Sequence, residues 1–375
     1  MNILIVSRAF YPEISPRSFR ATELAKELSR QGHDVSVLCP CSKEQDILIK
    51  KFGIKIIDLG PLKWRSIVIN GNRFQSFYRR VFRRLGKLLF EFPDIELVGL
   101  LKSKFRQMED FDLLISIAVP HPIHWGLSAI RTTSKPLAKV WIADCGDPYM
   151  GSENDSMKPM FYFKYLEKRF CRKADYISVP TEGSRKAYYP EFDNKIVVIP
   201  QGFKFEDVEF PISSEQNKQI TFGYAGGFIP GIRDPRPLLE FLNTLNVDFR
   251  FYIYTRQSQY IDDLVRKSKG RIICKGFLPR IDLLKEMSSF DFLINLENLG
   301  SRQTPSKLID YSILKKPILS LNSRNLDTVK LNRFLNYDFR ESFKVDNVDQ
   351  YRIENVAKQF LNLYSNYVQQ QEQSL

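Results

Sequence analysis

NILIVSRAFYPEISPRSFRATELAKELSRQGHDVSVL, residues 2–38, is the stretch that decides the fold class. Asn2-Ile3-Leu4-Ile5-Val6-Ser7 is a short continuous apolar run, suited to a buried strand. After a loop from Phe10 to Arg17 the apolar positions Phe19, Leu24 and Leu28 recur at helical spacing, and Gly32 closes the helix. Asp34-Val35-Ser36-Val37-Leu38 is a second strand. A strand, a helix and a strand in that order make a βαβ unit, whose strands run parallel.

The same grammar continues along the chain. Strands are expected at 55–59, 112–117, 138–143, 176–179 and 195–199, with a helix from Ile123 to Arg131. Residues 1–200 therefore read as one Rossmann-like, doubly wound domain. The segment 201–217 is polar, holds Pro211 and lacks an apolar period, which marks it as an interdomain connector. Further strands at 220–225, 249–254, 272–274, 292–295 and 317–320 alternate with helical stretches near 236–245, 258–268, 281–289 and 305–315. They define a second Rossmann-like domain over 218–347. The tail 348–375 has helical spacing (Ile353, Val356, Phe360, Leu363) and is free to pack back on the N-terminal domain.

Length and composition agree with this division. A chain of 375 residues, 43% hydrophobic and 26% charged, suits two α/β domains and excludes disordered and fibrous classes. The five cysteines are scattered and odd in number, which points to free thiols in a reducing cytosol. The apolar run before Arg8 is too short for a signal peptide or a membrane span, so a cytoplasmic location is expected.

A net charge of +13 implies an anionic partner. The excess is concentrated between Lys63 and Arg106, where eleven Lys and Arg residues meet only Glu91, Asp94 and Glu96. Within it, Phe74, Phe77, Tyr78, Val81, Leu85 and Leu88 alternate at helical spacing with Arg79, Arg80, Arg83, Arg84 and Lys87. Such a helix suits an anionic bilayer, on the inner face of the membrane, with those four arginines toward the lipid. Packing on the sheet with a solvated basic face explains the same pattern, whereas aromatics on the apolar side argue against nucleic acid.

In open parallel sheets ligands bind beyond the carboxyl ends of the strands, so two such domains leave a cleft lined by strand-to-helix loops. The segment from Gly300 to Tyr311 follows the strand ending at Asn295. Thr304 is a suitable N-cap and Pro305 a suitable first helical residue, which leaves free N–H groups for a phosphate. Lys307 adds charge in the first turn, and Asp310 lies four residues beyond Ser306 on one face, placed for ribose hydroxyls. An ordinary capped helix shows the same signals. Gly226 and Gly227 follow the first strand of this domain and allow close approach to phosphate, with Arg233 as the opposing charge; a plain turn reads equally well. In the first domain His121 and His124 follow one strand, and Asp144 and Asp147 the next. His124, Asp144 and Asp147 are candidates for acceptor orientation or proton handling. Their spacing permits a metal reading, but no zinc or magnesium motif supports it.

In their order and spacing these pieces resemble the retaining glycosyltransferases of family 4, which have the GT-B fold. The likeness covers nearly the whole chain. It rests on Phe10-Tyr11-Pro12-Glu13, Glu23-Leu24-Ala25, Gly32-His33-Asp34-Val35, the loop from Asp144 to Pro148 and Pro200-Gln201-Gly202-Phe203. In the second domain it rests on Tyr224-Ala225-Gly226, Gly276-Phe277-Leu278-Pro279, Pro305-Ser306-Lys307-Leu308-Ile309-Asp310-Tyr311 and Lys316-Pro317-Ile318-Leu319.

The resemblance implies an α-linked transfer with retention and no metal or other cofactor. It implies a UDP- or GDP-linked sugar held by the second domain, at Gly226, Gly227, Arg233, Thr304, Pro305, Ser306, Lys307 and Asp310. The implied acceptor, held by the first domain near His124, Asp144 and Asp147, is a glycan or a lipid-linked saccharide of surface polysaccharide synthesis. Of the family's two glutamates eight positions apart, Asp310 takes the second place and Arg302 the first. Gly227 stands at the position of a diphosphate-binding arginine, and Arg233 at that of its partner lysine. Asp144 and Asp147 stand near the place where many members carry a histidine. A non-catalytic GT-B subunit that binds a partner glycosyltransferase and a sugar-nucleotide epimerase remain alternative readings.

Overall fold

The computed structural model describes residues 1–69, 72–151, 158–208, 217–297 and 306–373. The chain divides into two compact units: Met1–Phe203 with Ile353–Leu375, and Lys204–Arg352.

In chain order the first unit contains β1 (Asn2–Ser7), α1 (Pro16–Arg30), β2 (Asp34–Cys39), α2 (Asp46–Phe52), β3 (Lys55–Asp58), α3 (Arg73–Phe90) and α4 (Leu97–Lys104). It continues with β4 (Phe111–Ala118), α5 (Pro122–Ile130), β5 (Ala138–Cys145), α6 (Phe163–Lys173), β6 (Tyr176–Val179), α7 (Glu182–Arg185) and β7 (Ile196–Val198). All seven strands are parallel, in the order β3-β2-β1-β4-β5-β6-β7. Successive residues of β1 serve opposite faces: Ile3 and Ile5 join one apolar cluster, Leu4 and Val6 the other. A strand covered on both faces has no polar side to show, which is why it reads as an unbroken apolar run.

Helix α1 starts where its local chemistry requires. Ser15 caps it by accepting from the Ser18 N–H at 3.2 Å, and Pro16 occupies the first turn, where a missing N–H costs nothing. Its end is marked by Gly32 at a φ of 83°.

The second unit contains β8 (Ile220–Ala225), α8 (Arg236–Thr244), β9 (Phe249–Tyr254), α9 (Asp262–Lys267), β10 (Ile272–Lys275), α10 (Arg280–Met287), β11 (Phe292–Leu296), α11 (Ser306–Ile313), β12 (Ile318–Leu321) and α12 (Thr328–Leu335). Its five strands are parallel, in the order β10-β9-β8-β11-β12. Phe222 stacks between Phe251 and Phe292, at centroid separations of 4.6 and 4.5 Å, across the three central strands. The last helix, α13 (Ile353–Gln373), belongs to the first unit. There Ile353, Val356, Ala357 and Phe360 are fully buried in the cluster that also holds Leu24 and Leu28 of α1.

Candidate functional site

In the second unit the strand order reverses between β8 and β11, so the loops leaving their carboxyl ends flank a topological switch point. The chain leaves β8 through Gly226, whose φ of 141° lies where a side chain is strained, and its N–H donates to the Tyr254 carbonyl at 3.0 Å. Gln257 then clamps the turn: its Oε1 accepts from the Phe228 N–H at 2.6 Å and would lie 3.3 Å from a Cβ on Gly227. The Tyr224 hydroxyl donates to the Gly227 carbonyl at 3.1 Å, and the Phe228 ring stacks on that of Tyr224. A bridge between Ile229 and Arg233 folds the loop back on itself.

On the other flank, α11 begins at Ser306. Tyr311, one turn along, accepts the Ala225 N–H at 3.1 Å through its hydroxyl oxygen and so ties this helix to the end of β8. Lys307 lies in the first turn with its Nζ buried 4.5 Å from the centroid of the Tyr224 ring. Neither this Nζ nor the buried Nε of Arg233 has a hydrogen-bond partner among the described residues. Burial pushes the Lys307 ammonium down to about 7, and the positive charge of Arg233 acts in the same direction. Two neighbouring basic side chains with these nitrogens unpaired among the described residues have the chemistry to receive an anion.

Asp310 stands one turn further along α11. Arg280 donates to its Oδ1 through Nε at 3.0 Å and through Nη2 at 2.6 Å. Burial raises the Asp310 pKa, and the Arg280 charge opposes that shift without cancelling it. At the ends of β11 and β12 the Asn295 amide donates to Ser320 Oγ at 2.8 Å, and the Ser320 hydroxyl donates to Glu297 Oε1 at 3.0 Å. The sequence reading passed over Glu297, Gln257 and Arg280; for Glu297 a signal exists, a carboxylate directly after the strand at the switch point. Thr304, Pro305 and Arg302 lie outside the described residues, as does the side chain of Ser306.

In the first unit the order reverses between β1 and β4. Asp144, near the end of β5, is buried; Arg20 of α1 donates to it through Nη2 at 2.9 Å and Nε at 3.2 Å, and the Ser178 hydroxyl at 2.7 Å. Arg20 also reaches the carbonyls of Ile199 and Pro200. Burial alone would raise the Asp144 carboxyl, but the Arg20 charge and hydrogen bonds hold it below its ordinary value. His124 is fully buried, with Nδ1 2.9 Å from Ser116 Oγ and Nε2 3.4 Å from Cys145 Sγ, and burial pushes its pKa down to about 4. The structure thus brings His124 and Asp144 together inside the fold. Asp147, two residues past β5, is exposed. Beside it the Arg17 guanidinium lies against Gly146, within 1.8 Å of where a Cβ would stand. No group of three or more His, Cys, Asp or Glu side chains is arranged to hold a metal among the described residues.

Helix α3 carries Arg79, Arg80, Arg83 and Arg84, and none of its described side chains is buried. Its apolar residues do not pack on the sheet: Phe74, Phe77 and Phe82 are 68%, 62% and 61% exposed. Among the described residues no helix is long and apolar enough to cross a membrane.

Two parallel-sheet α/β units with these strand orders define the GT-B fold, which solved glycosyltransferase structures share. A glycosyltransferase from Rickettsia africae is 13% identical, with a TM-score of 0.62 over 98% of each chain. S. aureus TarM, in complex with fondaparinux, alpha-GlcNAc-glycerol and UDP, is 12% identical over 97% of this chain and 100% of its own, with a TM-score of 0.61. Anabaena HepE, in complex with UDP and glucose, is 12% identical over 100% of both chains, with a TM-score of 0.56. At such identities the likeness is one of fold. Residues 19–207, about half of the chain, match the model of Glycosyltransferase Family 4, and the chain belongs to that family. It is a glycosyltransferase. No curated protein matches it.

Proposed function

We propose that this enzyme transfers a sugar, with retention, from a UDP- or GDP-linked donor to a glycan or lipid-linked saccharide acceptor in surface polysaccharide synthesis, in the cytoplasm at the inner membrane face. The observation that carries the donor is a pair of buried basic nitrogens without a hydrogen-bond partner among the described residues, Lys307 Nζ and Arg233 Nε, at the switch point of the second sheet. A diphosphate supplies the missing counter-charge. The structures of TarM and HepE with UDP support the same reading.

As the glycosidic bond lengthens, negative charge grows on the leaving diphosphate. Lys307, Arg233 and the backbone N–H groups of the first turn of α11, at Ser306 and Lys307, stabilise it. Gly226 and Gly227 let the backbone approach. Arg280 occupies Oδ1 of Asp310, and Oδ2 accepts a ribose hydroxyl. In the first unit Asp147 touches the acceptor or the donor sugar, while buried Asp144 and His124 hold its loop. Charge neutralisation by two side chains makes the reaction independent of added metal, so a chelator leaves the rate unchanged.

The test is release of nucleoside diphosphate from a panel of nucleotide sugars, with and without lipid-linked saccharides. Acceptor-dependent release with one donor is expected, and Lys307→Ala lowers turnover at least tenfold, since a charge-assisted contact is worth about 1.5–3 kcal/mol. Turnover unchanged in that variant removes Lys307 from the site. No release with any donor favours a non-catalytic subunit, and release without an acceptor an epimerase.

A further inference from the structure

Helix α3 is amphipathic to a degree its surroundings do not use. At about 100° per residue, Phe74, Phe77, Tyr78, Val81, Phe82 and Leu85 fall within an arc of about 140°. All six are exposed. The remaining arc carries Arg73, Arg79, Arg80, Arg83, Arg84 and Lys87, and the helix contains no acidic residue. The exposed apolar surface continues beyond the helix. The Tyr162 hydroxyl donates to the Leu89 carbonyl, which sets exposed Phe161 beside the end of α3.

An apolar face of this size left open to water calls for an occupant. A second copy of the chain is a poor one, because docking α3 on α3 brings two basic helices together, and the helix carries no acidic residue of its own. An acidic protein groove would match the charge but not the continuous apolar arc. A bilayer with anionic headgroups satisfies both faces at once: acyl chains receive the aromatic side chains, and the long arginine side chains on the flanks reach the phosphate plane.

We infer that α3 seats the first unit on an anionic phospholipid bilayer, lying in its interface with Phe74, Phe77, Tyr78, Val81, Phe82 and Leu85 among the acyl chains. This rests on the membrane-face location proposed above and is independent of the donor. It makes the acceptor one that resides in that membrane. Each basic side chain near an anionic surface strengthens binding roughly fivefold, and salt screens that gain.

The experiment is co-sedimentation of the full chain with vesicles of phosphatidylcholine alone and of phosphatidylcholine with an equal part of phosphatidylglycerol. The wild type binds the anionic vesicles at least tenfold more tightly, and raised salt weakens this binding. Replacing Arg79, Arg80, Arg83 and Arg84 together with Gln lowers it roughly a hundredfold or more. The double variant Phe77→Ser, Phe82→Ser lowers it at least tenfold even at low salt. The Phe77→Ser, Phe82→Ser variant melts as the wild type does, since both side chains are exposed, and a melting curve of the four-arginine variant establishes that it is folded before its binding is read. Equal binding to neutral vesicles, or double-variant binding at the wild-type level, overturns the inference. So does a lipid-free dimer that the double variant abolishes, or a nucleic acid that displaces the vesicles. Nucleoside-diphosphate release to a water-soluble acceptor stays at the wild-type rate in both variants, so a failure here leaves the donor reading standing, and a failed donor assay leaves this one.

Discussion

A buried lysine that finds no acceptor and sits beside an arginine weakens the folded state, because the unfolded chain hydrates both charges fully. Among the described residues Lys307 is in that position, with its pKa pushed down to about 7 by burial and by Arg233. The unfolded value is about 10.4. Between these two values the unfolded chain binds the additional proton, so stability rises with pH across that window and is lowest below about 7. Lys307→Met, which keeps the length and drops the charge, therefore raises the melting temperature at pH 6 by a few degrees, roughly 2–4 °C per kcal/mol removed. The gain shrinks steadily as pH rises above about 7 and is gone near the unfolded value. Calorimetry across pH checks this, and a melting temperature lowered at pH 6 would show that Lys307 is already paired. A bound diphosphate restores the ammonium, so nucleoside diphosphate affinity falls by up to about tenfold per unit as pH rises above 7. Titration at pH 8 in buffers of different ionisation enthalpy then reads proton uptake. The position of Lys307 in a first helical turn was legible in the sequence. Its burial over Tyr224 was not, since that depends on a tyrosine more than eighty positions earlier. Arg20 escaped notice for the same reason: on an amphipathic helix an arginine reads as solvent-facing until its partner Asp144, on another strand, is known.

At the scale of elements, the parallel strands were the most legible part. Strands buried on both faces leave continuous apolar runs such as Ile3 to Val6, and the expected limits of β1, β6, β8 and β9 coincide with those in the structure. Helix α3 was legible as an amphipathic cation-rich helix but not in its setting, because spacing shows which residues share a face and not what covers it. Helix α13 depends on one residue far from it. A Cβ on Gly202 would lie 2.5 Å from Ile353 Cδ1 and 3.2 Å from Val356 Cβ. The glycine thus permits the close approach that buries Phe360, over whose ring the Arg20 guanidinium lies at 5.2 Å. Phe360→Ala should cost about 3–5 kcal/mol through lost burial and a residual cavity. Gly202→Ala should destabilise the same unit by about 1–3 kcal/mol through overpacking. Urea denaturation measures both. A Gly202→Ala midpoint equal to the wild type would mean that α13 shifts freely, and the helix would then not be a fixed part of the core.

For the whole molecule, each sheet offers its own switch point, and the two differ in charge. At the first, the carboxylate of Asp144 is already matched by Arg20, and His124 is neutral above a pKa of about 4. At the second, Lys307 and Arg233 have no counter-charge among the described residues. An anionic nucleotide gains most where unmatched cations wait, and a neutral saccharide gains most from a site whose charges are settled. Amide hydrogen exchange with saturating UDP or GDP should therefore slow at 224–236 and in α11, because the ligand must be released before those amides open. Amides at 118–124 and 144–149 should exchange at their ligand-free rates. Adding acceptor with the nucleotide should extend protection to the loop after β5, around Asp147. Nucleotide-dependent slowing confined to that loop, with 224–236 unchanged, would reverse the roles of the two units and leave Lys307 and Arg233 to hold some other anion.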